Sequence, residues 1–237
     1  MHTDDPSPQA RPAPAVPTDA ATRSEPASVP GDEGGNRRGR YVVVEGGEGV
    51  GKTTQVTLLV ERLRSEGIAC EQVREPGGDP FAEAGRQLLL SDLERTPAAE
   101  VFAFNALRAQ LLESVVAPLL ASGTWVLADR GRLSTIAYQG HGSGADLAWT
   151  RAVCDLGVSV CPPDLEVVLD LDPVVAAERR TVRGDDDRFE RMDLAFHQRV
   201  ADAYRSEAAL AGITVVDADG TPEQVAARLW EIVAPLR

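Results

Sequence analysis

A glycine-rich run that ends in a lysine and a threonine carries the clearest chemical signal in this sequence. Residues 46–53 read Gly-Gly-Glu-Gly-Val-Gly-Lys-Thr, which matches the phosphate-binding pattern G-x-x-x-x-G-K-[ST]. Lys52 is the only lysine among the 24 lysine and arginine residues of the chain. A compact ammonium fits between phosphates where the wide, planar guanidinium of arginine does not. We therefore interpret the single lysine as a sign that the loop binds a phosphorylated ligand.

Each part of this loop has a separate role in binding a nucleoside triphosphate. Backbone N–H groups and the start of the next helix can surround the phosphates. Lys52 would reach the β- and γ-phosphates, and the hydroxyl of Thr53 would ligate Mg²⁺. Gly46 and Gly51 allow backbone conformations and close approaches that a Cβ would block. The residues expected to bind the nucleotide cofactor are Gly46, Gly47, Glu48, Gly49, Val50, Gly51, Lys52, Thr53 and Thr54.

Several classes of protein share this loop, and the rest of the chain separates them. A GTPase needs an N-K-x-D motif, which a chain whose one lysine is Lys52 does not contain. An adenylate kinase-like loop carries Gly-Lys-Gly, whereas this loop carries Gly-Lys-Thr. A large motor ATPase needs more chain than 237 residues. The remaining class is a small kinase that holds an anionic acceptor opposite ATP, with arginines, a stacking aromatic ring and a cationic lid.

Residues of those types occur at the expected places. The segment 74–78, Arg-Glu-Pro-Gly-Gly, follows the second expected strand, at the edge where open α/β sheets bind ligands. Phe104 and Arg108 are four residues apart on a helix and so share a face. Asp129 could hold Mg²⁺ or its water, and the adjacent Arg130 could grip a phosphate with two hydrogen bonds. Each residue alone has a simpler interpretation: Phe104 as core, Asp129 as a cap. Their joint occurrence favours a binding site.

A polar segment between two later helices carries four arginines around the run Gly-Asp-Asp-Asp at 184–187. The arginines are Arg179, Arg180, Arg183 and Arg188. Such a segment is suited to closing over phosphates. The same residues could instead form a solvated surface in which the arginines pair with the aspartates.

An alternation of apolar runs and helical patterns must position these residues. The expected strands are 41–45, 68–73, 124–128, 165–169 and 213–216. The expected helices are 52–65, 81–90, 98–121, 146–157, 172–182, 191–210 and 222–233. Strands that alternate with helices and read as continuous apolar runs indicate a parallel sheet covered on both faces. The predicted fold class is therefore α/β, a five-stranded parallel sheet flanked by helices, with a short arginine-rich lid.

Composition limits the domains, the partners and the compartment. Residues 1–39 are rich in Pro, Ala, Ser, Asp and Gly, which predicts a disordered tail before one folded domain at 40–237 with a lid at about 180–190. The net charge of −13 disfavours nucleic acid and anionic membranes as partners. Cys70, Cys154 and Cys161 lack the paired spacing of a zinc site or a disulfide framework, which suits a reducing cytoplasm. No apolar run approaches the ~20 residues of a membrane span.

The order of these motifs resembles that of the bacterial thymidylate kinases, over about residues 41–235. The most specific blocks are Arg-Glu-Pro-Gly-Gly at 74–78 and Ala-Tyr-Gln-Gly at 137–140. The resemblance implies a P-loop nucleoside monophosphate kinase-like fold that transfers the γ-phosphoryl group of ATP to dTMP, giving dTDP for dTTP synthesis, with Mg²⁺. It also implies a homodimer through the apolar long helix at 98–121, although a buried central helix would show the same pattern.

The resemblance further implies roles for single residues. For the base, Phe104 would stack on thymine, Arg108 would bind its O4 edge, and Thr135 and Gln139 would also contact it. For the sugar, Tyr138 would lie against the ring and Glu48 would approach the 3′-hydroxyl. Arg86 and Arg130 would hold the monophosphate. Glu75 and Asp129 would organise Mg²⁺ and the arginines, with Thr53 and Asp129 as the metal ligands. The residues implied in catalysis are Lys52, Asp129, Arg130, Arg183 and Arg179.

The phosphate loop also indicates which subtype of the family the chain resembles. One subtype carries a catalytic arginine in the loop and the other carries it in the lid. The segment 48–50, Glu-Gly-Val, has no arginine, so the sequence resembles the lid-arginine type, with Arg183 as the first candidate and Arg179 as the second. Two residues depart from the family pattern. Gly131 stands where an aromatic residue is common, and Asp79 stands where a small residue is common.

Two other functions stay open at this point. The chain could phosphorylate another pyrimidine nucleotide or a deoxynucleoside. It could also be a nucleotide-binding regulator that has the fold without the activity, although the presence of Arg130 and the lid arginines argues against this. ATP binding without ADP production would favour the regulator.

Overall fold

Five parallel strands form the centre of the computed structural model, which describes residues 38–183 and 188–237 and, at 180–183, the backbone alone. The strands are β1 (Tyr41–Gly46), β2 (Cys70–Arg74), β3 (Trp125–Asp129), β4 (Leu165–Asp170) and β5 (Thr214–Asp217). Their order in the sheet is β2-β3-β1-β4-β5, and every neighbouring pair is parallel. The predicted five-stranded parallel sheet is confirmed.

The expected helices are all present in the described chain, with small shifts at their ends. The helices are α1 (Lys52–Ser65), α2 (Pro80–Leu90), α3 (Pro97–Leu111), α4 (Ala117–Ala121), α5 (Arg132–Thr135), α6 (Leu147–Val158), α7 (Pro173–Arg183), α8 (Leu194–Ala211) and α9 (Pro222–Val233). The start of α8 is later than expected because Asp193 caps it, accepting the N–H of Phe196 at 2.7 Å.

The long helix expected at 98–121 is interrupted near its end. A π-helical turn at Leu112–Val116 joins α3 to α4, and Pro118 lies in the first turn of α4. A proline ring inside an α-helix collides with the carbonyl of the residue four positions earlier. The π-helical turn before Pro118 changes the backbone hydrogen bonding there, and the chain then continues as α4.

A helical segment that the sequence patterns did not reveal follows β3. It consists of α5 and a π-helical stretch, Ile136–Gly142. Residues 136–140 of this stretch are all buried, and they include Tyr138 and Gln139. π-helical turns are rare and often occur at functional sites.

Helices cover both faces of the sheet, as continuous apolar strands require. On one face, Val42 and Val44 of β1 belong to a core cluster with residues of α1 and α9, among them Leu59 and Leu229. On the other face, Val43 packs in a cluster with residues of α3 and α4. Because helices fill both faces of the sheet, a ligand can approach the strands at their carboxyl ends.

The first described residues already contact the folded domain. The side chain of Arg38 pairs with Asp164 at 2.9 Å, and the N–H of Gly39 donates to the carbonyl of Leu120 at 2.8 Å. These are the last two residues of the expected tail at 1–39. Residues 1–37 lie outside the described part of the chain.

The three cysteines are buried thiols with no disulfide between them. Burial raises the pKa of the Cys70 thiol to about 12, which keeps it protonated and unreactive. Within residues 38–183 and 188–237, no cluster of three or more histidine, cysteine or acidic side chains could hold a metal ion by itself. In the same ranges, no helix has the length and apolarity to cross a membrane.

Candidate active site

A cleft of about 830 Å³ opens at the carboxyl edge of the sheet, beyond the ends of β1, β2 and β3. This is the edge at which open α/β sheets bind ligands. The site residues expected from the sequence that line the cleft are Glu48, Gly49, Gly51, Lys52, Thr53, Glu75, Arg86, Phe104, Arg108, Asp129, Arg130, Thr135, Tyr138 and Gln139. The fold therefore brings most of the expected site together.

The phosphate loop joins β1 to α1 through glycines in conformations that other residues rarely adopt. Gly51 has a φ of 97° and stands at the N-cap of α1, where no side chain caps the helix. The first N–H groups of α1 are therefore open to an anionic ligand. At Gly46 the φ is 142°, and a Cβ there would lie 2.5 Å from the carbonyl oxygen of Leu169. Val50 is instead buried in the core below the loop.

Lys52 begins α1 and is held by the loop that precedes it. Its Nζ donates to the carbonyl of Gly47 at 2.6 Å, and the side chain is buried. Burial, together with the charge of Arg130, lowers the pKa of Lys52 to about 8, against the opposing carboxylates of Glu48 and Asp129. A bound polyphosphate would favour the charged form of the ammonium.

The oxygen atoms expected to serve Mg²⁺ meet where β1, β2 and β3 end. The hydroxyl of Thr53 donates to Oδ2 of Asp129 at 2.5 Å. The backbone N–H of Glu75 donates to the carbonyl of Asp129 at 3.0 Å, which joins the ends of β2 and β3. Oε1 of Glu75 is buried and has no hydrogen-bond partner among the described residues. Mg²⁺ binds one or two carboxylates together with waters and substrate phosphates, so the residues present fit this ion.

Arg130 connects the end of β3 to the phosphate loop. Its backbone φ is 78°, a conformation that costs of order 1–3 kcal/mol in a residue with a side chain. The guanidinium pairs with Glu48 and donates to Ser134 Oγ at 3.3 Å. Burial would raise the pKa of Glu48, but the charges of Arg130 and Lys52 outweigh it and bring the pKa to about 2. Glu48 therefore stays an acceptor of hydrogen bonds throughout the neutral range.

Arg108 lies at the centre of a buried network on the side of the cleft where the sequence predicts the acceptor site. Its Nε donates to Glu75 at 2.6 Å, and its two Nη atoms donate to Asn105 at 2.5 Å, to the Gly131 carbonyl at 2.9 Å and to Thr135 at 3.0 Å. These bonds use four of the five N–H groups of a guanidinium. Burial raises the pKa of Glu75 in spite of the arginine beside it. One donor of Arg108 makes no hydrogen bond to the described residues and can serve a ligand.

Aromatic rings enclose the same side of the cleft. The ring of Phe189 lies 6.4 Å from Phe104 and 5.4 Å from Tyr138, edge-on to the latter. The hydroxyl of Tyr138 donates to Glu48 at 3.3 Å, and burial raises the pKa of this phenol. The Nε2 of Gln139 donates to the buried Glu100 at 3.1 Å. A flat ring with polar edges would fit between these groups.

Several residues of this arrangement were not identified from the sequence. Glu45 is fully buried in β1 and accepts from the Ser134 hydroxyl at 2.6 Å, and Tyr204 of α8 lies 2.8 Å from the same hydroxyl. Glu100 and Phe189 belong to the same class of missed residues. For Glu45 and Glu100 the available signal was a carboxylate inside an otherwise apolar strand or helix, since buried charges are rare unless they are paired. No comparable signal marked Tyr204 or Phe189.

The structure describes only some of the expected lid residues. Arg179 of α7 donates to the carbonyls of Ala218 and Gly220, at 3.1 and 3.4 Å, and does not line the cleft described above. The side chains of Arg180 and Arg183 lie outside the described residues, as do residues 184–187. The assignment of Arg183 as the catalytic lid arginine stays a prediction.

The two departures from the family pattern have local structural causes. Asp79 caps α2 by accepting the N–H of Ala82 at 2.9 Å. A Cβ at Gly131 would lie 2.8 Å from Cγ1 of Val43, so this backbone leaves no room for a larger residue. The carbonyl of Gly131 is used by Arg108. Neither residue removes a group from the cleft.

Comparison with known proteins gives a consistent result. The family model described as thymidylate kinase matches residues 44–229. A thymidylate kinase of Synechococcus sp. (strain JA-2-3B'a(2-13)) is 45% identical over 197 residues, which covers 82% of this chain and 94% of that protein. The thymidylate kinase of Afipia carboxidovorans is 42% identical, covering 82% of this chain and 88% of its own length. That of Rhizorhabdus wittichii is also 42% identical, with coverages of 84% and 98%.

Proposed function

The chain belongs to the thymidylate kinase family, and we propose that it transfers the γ-phosphoryl group of ATP to dTMP, giving dTDP. The observation that carries this proposal is that one hydrogen-bond donor and one hydrogen-bond acceptor are available to a ligand in the half of the cleft that would bind dTMP. One N–H of Arg108 has no partner among the described residues, and Gln139 has its NH₂ group turned toward Glu100.

This donor and acceptor match the edge of thymine. The carbonyl oxygen of Gln139 accepts no hydrogen bond from the described residues, and Gln139 lines the cleft. Thymine and uracil present an N3–H donor beside an O4 acceptor, whereas cytosine presents an N3 acceptor beside an amino donor. A site built to pair with one pattern rejects the other because its polar groups would be left unpaired. Phe104 would stack on the base.

The sugar and the phosphate of the acceptor would lie near the phosphate loop. Glu48, held ionised by Arg130 and Lys52, can accept a hydrogen bond from a sugar hydroxyl. Arg130 and Arg86 line the cleft and can hold the monophosphate. The phosphate of dTMP is largely dianionic near neutral pH, since its second pKa is about 6. The acceptor oxygen therefore needs no general base.

The donor half would hold ATP by backbone N–H groups, by Lys52 and by Thr53. Mg²⁺, when bound, neutralises charge on the β- and γ-phosphate oxygens. Thr53 and Asp129 would supply protein oxygens to it, and Glu75 would bind one of its waters. The work of the protein is then to align the acceptor oxygen with the γ-phosphate and to place cations around the group in transit.

A coupled assay of ADP release tests the proposal. The purified enzyme is given ATP and Mg²⁺ with dTMP, dUMP, dCMP or thymidine as acceptor. We expect the highest kcat/KM with dTMP, a lower value with dUMP, and very little turnover with dCMP or thymidine. Preference for dCMP or for thymidine would overturn the substrate assignment. Nucleotide binding without ADP release would instead identify a regulator that has the fold without the activity.

We also propose that the protein acts as a homodimer through an apolar patch on α3 and α6. Phe102 of α3 is 58% exposed and Leu156 of α6 is 73% exposed, and Trp149 packs edge-on against Phe102 at 5.0 Å. Exposed apolar groups on adjacent helices indicate an interaction surface. The matching face of a second copy would bury them in a symmetric contact.

Sedimentation velocity tests the homodimer. The double variant Phe102→Glu/Leu156→Glu should sediment as a monomer, because two carboxylates would be buried against their symmetry mates. Val174→Glu is the matched control, since Val174 is 52% exposed and lies on α7, which packs against α8. A wild-type monomer, or a control that dissociates equally, contradicts the assignment.

The remaining expectations belong to the same proposal. The segment at about 180–190 would act as the arginine-rich lid, and residues 1–39 would form a tail without catalytic contacts. Three buried, unpaired thiols support a reducing compartment, the cytoplasm. The net charge of −13 supports a small-molecule partner over nucleic acid or a membrane.

A further inference from the structure

Glu100 is a buried carboxylate beside the base pocket for which the reaction itself gives no role. It lies in the first turn of α3 and is 4% exposed. Its oxygens accept from Arg95 at 3.0 Å, from Gln139 at 3.1 Å and from the guanidinium of Arg188. A buried carboxylate is costly unless it is paired, and three donors here compensate it.

The carboxylate of Glu100 decides which way the amide of Gln139 points. A carboxylate that is paired with two guanidiniums only accepts hydrogen bonds. The group of Gln139 that faces Glu100 must therefore be the NH₂, and the carbonyl oxygen must point the other way. An amide with no such neighbour could present either its donor or its acceptor, because the two ends have nearly the same shape.

Arg188 holds Glu100 from the side of the pocket wall. Its guanidinium lies over the ring of Phe189 at 4.3 Å, and Phe189 packs against Tyr138 at 5.4 Å. Arg95 donates to the same oxygen of Glu100 as Arg188 does, Oε1, and also to the carbonyls of Leu89 and Ser91. Two guanidiniums thus hold one oxygen of Glu100, and the other oxygen gives Gln139 a fixed orientation.

We infer that Glu100 is a positioning residue that sets the base specificity of the acceptor site. It does so by holding Gln139 with its acceptor toward the base, so that an N3–H is required of the ligand. The inference rests on the proposed function, since it explains how the same site would choose thymine over cytosine. It predicts that the specificity is weakened when Glu100 is made able to donate, because only the Arg108 donor then opposes cytosine.

The variant Glu100→Gln makes that change with almost no change of volume. The new amide can accept from or donate to Gln139, so Gln139 can turn and offer its NH₂ to N3 of cytosine. We expect the ratio of kcat/KM for dTMP to kcat/KM for dCMP to fall by about tenfold, because Arg108 still presents a donor to the amino group of cytosine. The ratio of dTMP to dUMP should stay the same, since uracil has the same polar edge as thymine. General loosening of the pocket would change both ratios.

A charge-conserving swap provides the rescue. In Glu100→Gln/Gln139→Glu, the amide at position 100 can donate to a carboxylate at 139, which again offers only an acceptor to the base. We expect this variant to recover most of the preference for dTMP over dCMP. Arg95→Met is the control for lost pairing, since Arg95 touches Glu100 but not Gln139; it should lower stability and leave the dTMP to dCMP ratio unchanged.

Dissociation constants from isothermal titration with dTMP and dCMP supply the same ratios without turnover. A ratio within about twofold of wild type in Glu100→Gln overturns the inference, as does a swap that recovers nothing. If the wild-type protein phosphorylates dTMP while either result holds, only the role of Glu100 fails. If the wild-type protein neither binds nor phosphorylates dTMP in preference to dCMP, the proposed function and this inference both fail.

Discussion

The two halves of the cleft are built from different kinds of contact. In the donor half, the contact of Lys52 with the carbonyl of Gly47 joins residues five positions apart, and glycine conformations shape the loop. In the acceptor half, Arg108 pairs with Glu75 across 33 positions and Arg188 pairs with Glu100 across 88. The phosphate loop of the donor half is a local structure, although Thr53 also contacts Asp129 across 76 positions. The acceptor half exists only when distant segments pack together.

This difference has consequences for energetics as well as for architecture. Burial of the charged ammonium of Lys52 costs free energy, as its lowered pKa indicates. Arg108 compensates a carboxylate that is itself buried, so its loss would leave an uncompensated charge. Changes in the donor half should therefore impair catalysis and spare stability, and changes in the acceptor half should impair both.

The largest expected effect is that of Lys52→Ala on turnover. Removing the cation that we propose bridges the β- and γ-phosphates should lower kcat by about a thousandfold. Lys52→Arg should be almost as damaging, because the guanidinium does not fit the space of an ammonium. Steady-state ADP release measures both. Retention of more than about a tenth of wild-type turnover in Lys52→Ala contradicts the assignment of the loop.

The second prediction concerns stability, through Arg108→Met. Glu75 would remain buried without its partner, and the free energy of unfolding should fall by about 3 kcal/mol. Lys52→Met, also a buried cation replaced by methionine, is the matched control and should change it by less than about 1 kcal/mol. Urea unfolding of both variants gives the comparison. Equal losses would remove the distinction between the two halves.

The third prediction tests Arg183, the catalytic arginine expected in the lid. Arg183→Ala should lower kcat by about a hundredfold and leave the KM for dTMP nearly unchanged, because the guanidinium would act on charge that develops in the transition state. Arg180→Ala serves as the neighbouring control, with a smaller effect. A change in KM alone would assign Arg183 to substrate binding.

The smallest effect is a pH dependence in the donor half. The pKa of Lys52 is lowered to about 8, so the free enzyme loses this positive charge as the pH rises through that value. The kcat/KM for ATP should then fall about tenfold per unit above pH 8, while kcat stays nearly flat because bound phosphates keep the ammonium charged. Glu48→Gln removes a charge that raises this pKa and should move the fall to lower pH. A fall that begins only above about pH 10 would show an ordinary lysine.

Much of the fold could be predicted from local sequence patterns. The five strands and the expected helices were predicted because continuous apolar runs, helical periodicity and a cap residue such as Thr221 leave local marks. The helical stretch with Tyr138 and Gln139 was missed, since a π-helical turn has no sequence period of its own. The π turn before Pro118 was missed for the same reason.

The sequence alone determined the phosphate loop, because glycine, lysine and threonine at fixed spacing act through their own backbone and their nearest neighbours. It also determined the sheet and the chemical types of the acceptor residues. Only the tertiary structure decided how those residues are oriented: that Glu75 holds Arg108, that Glu48 holds Arg130, and that Glu100 turns Gln139. The reason is that a buried polar group takes its orientation from whichever partner the packing of distant segments places beside it.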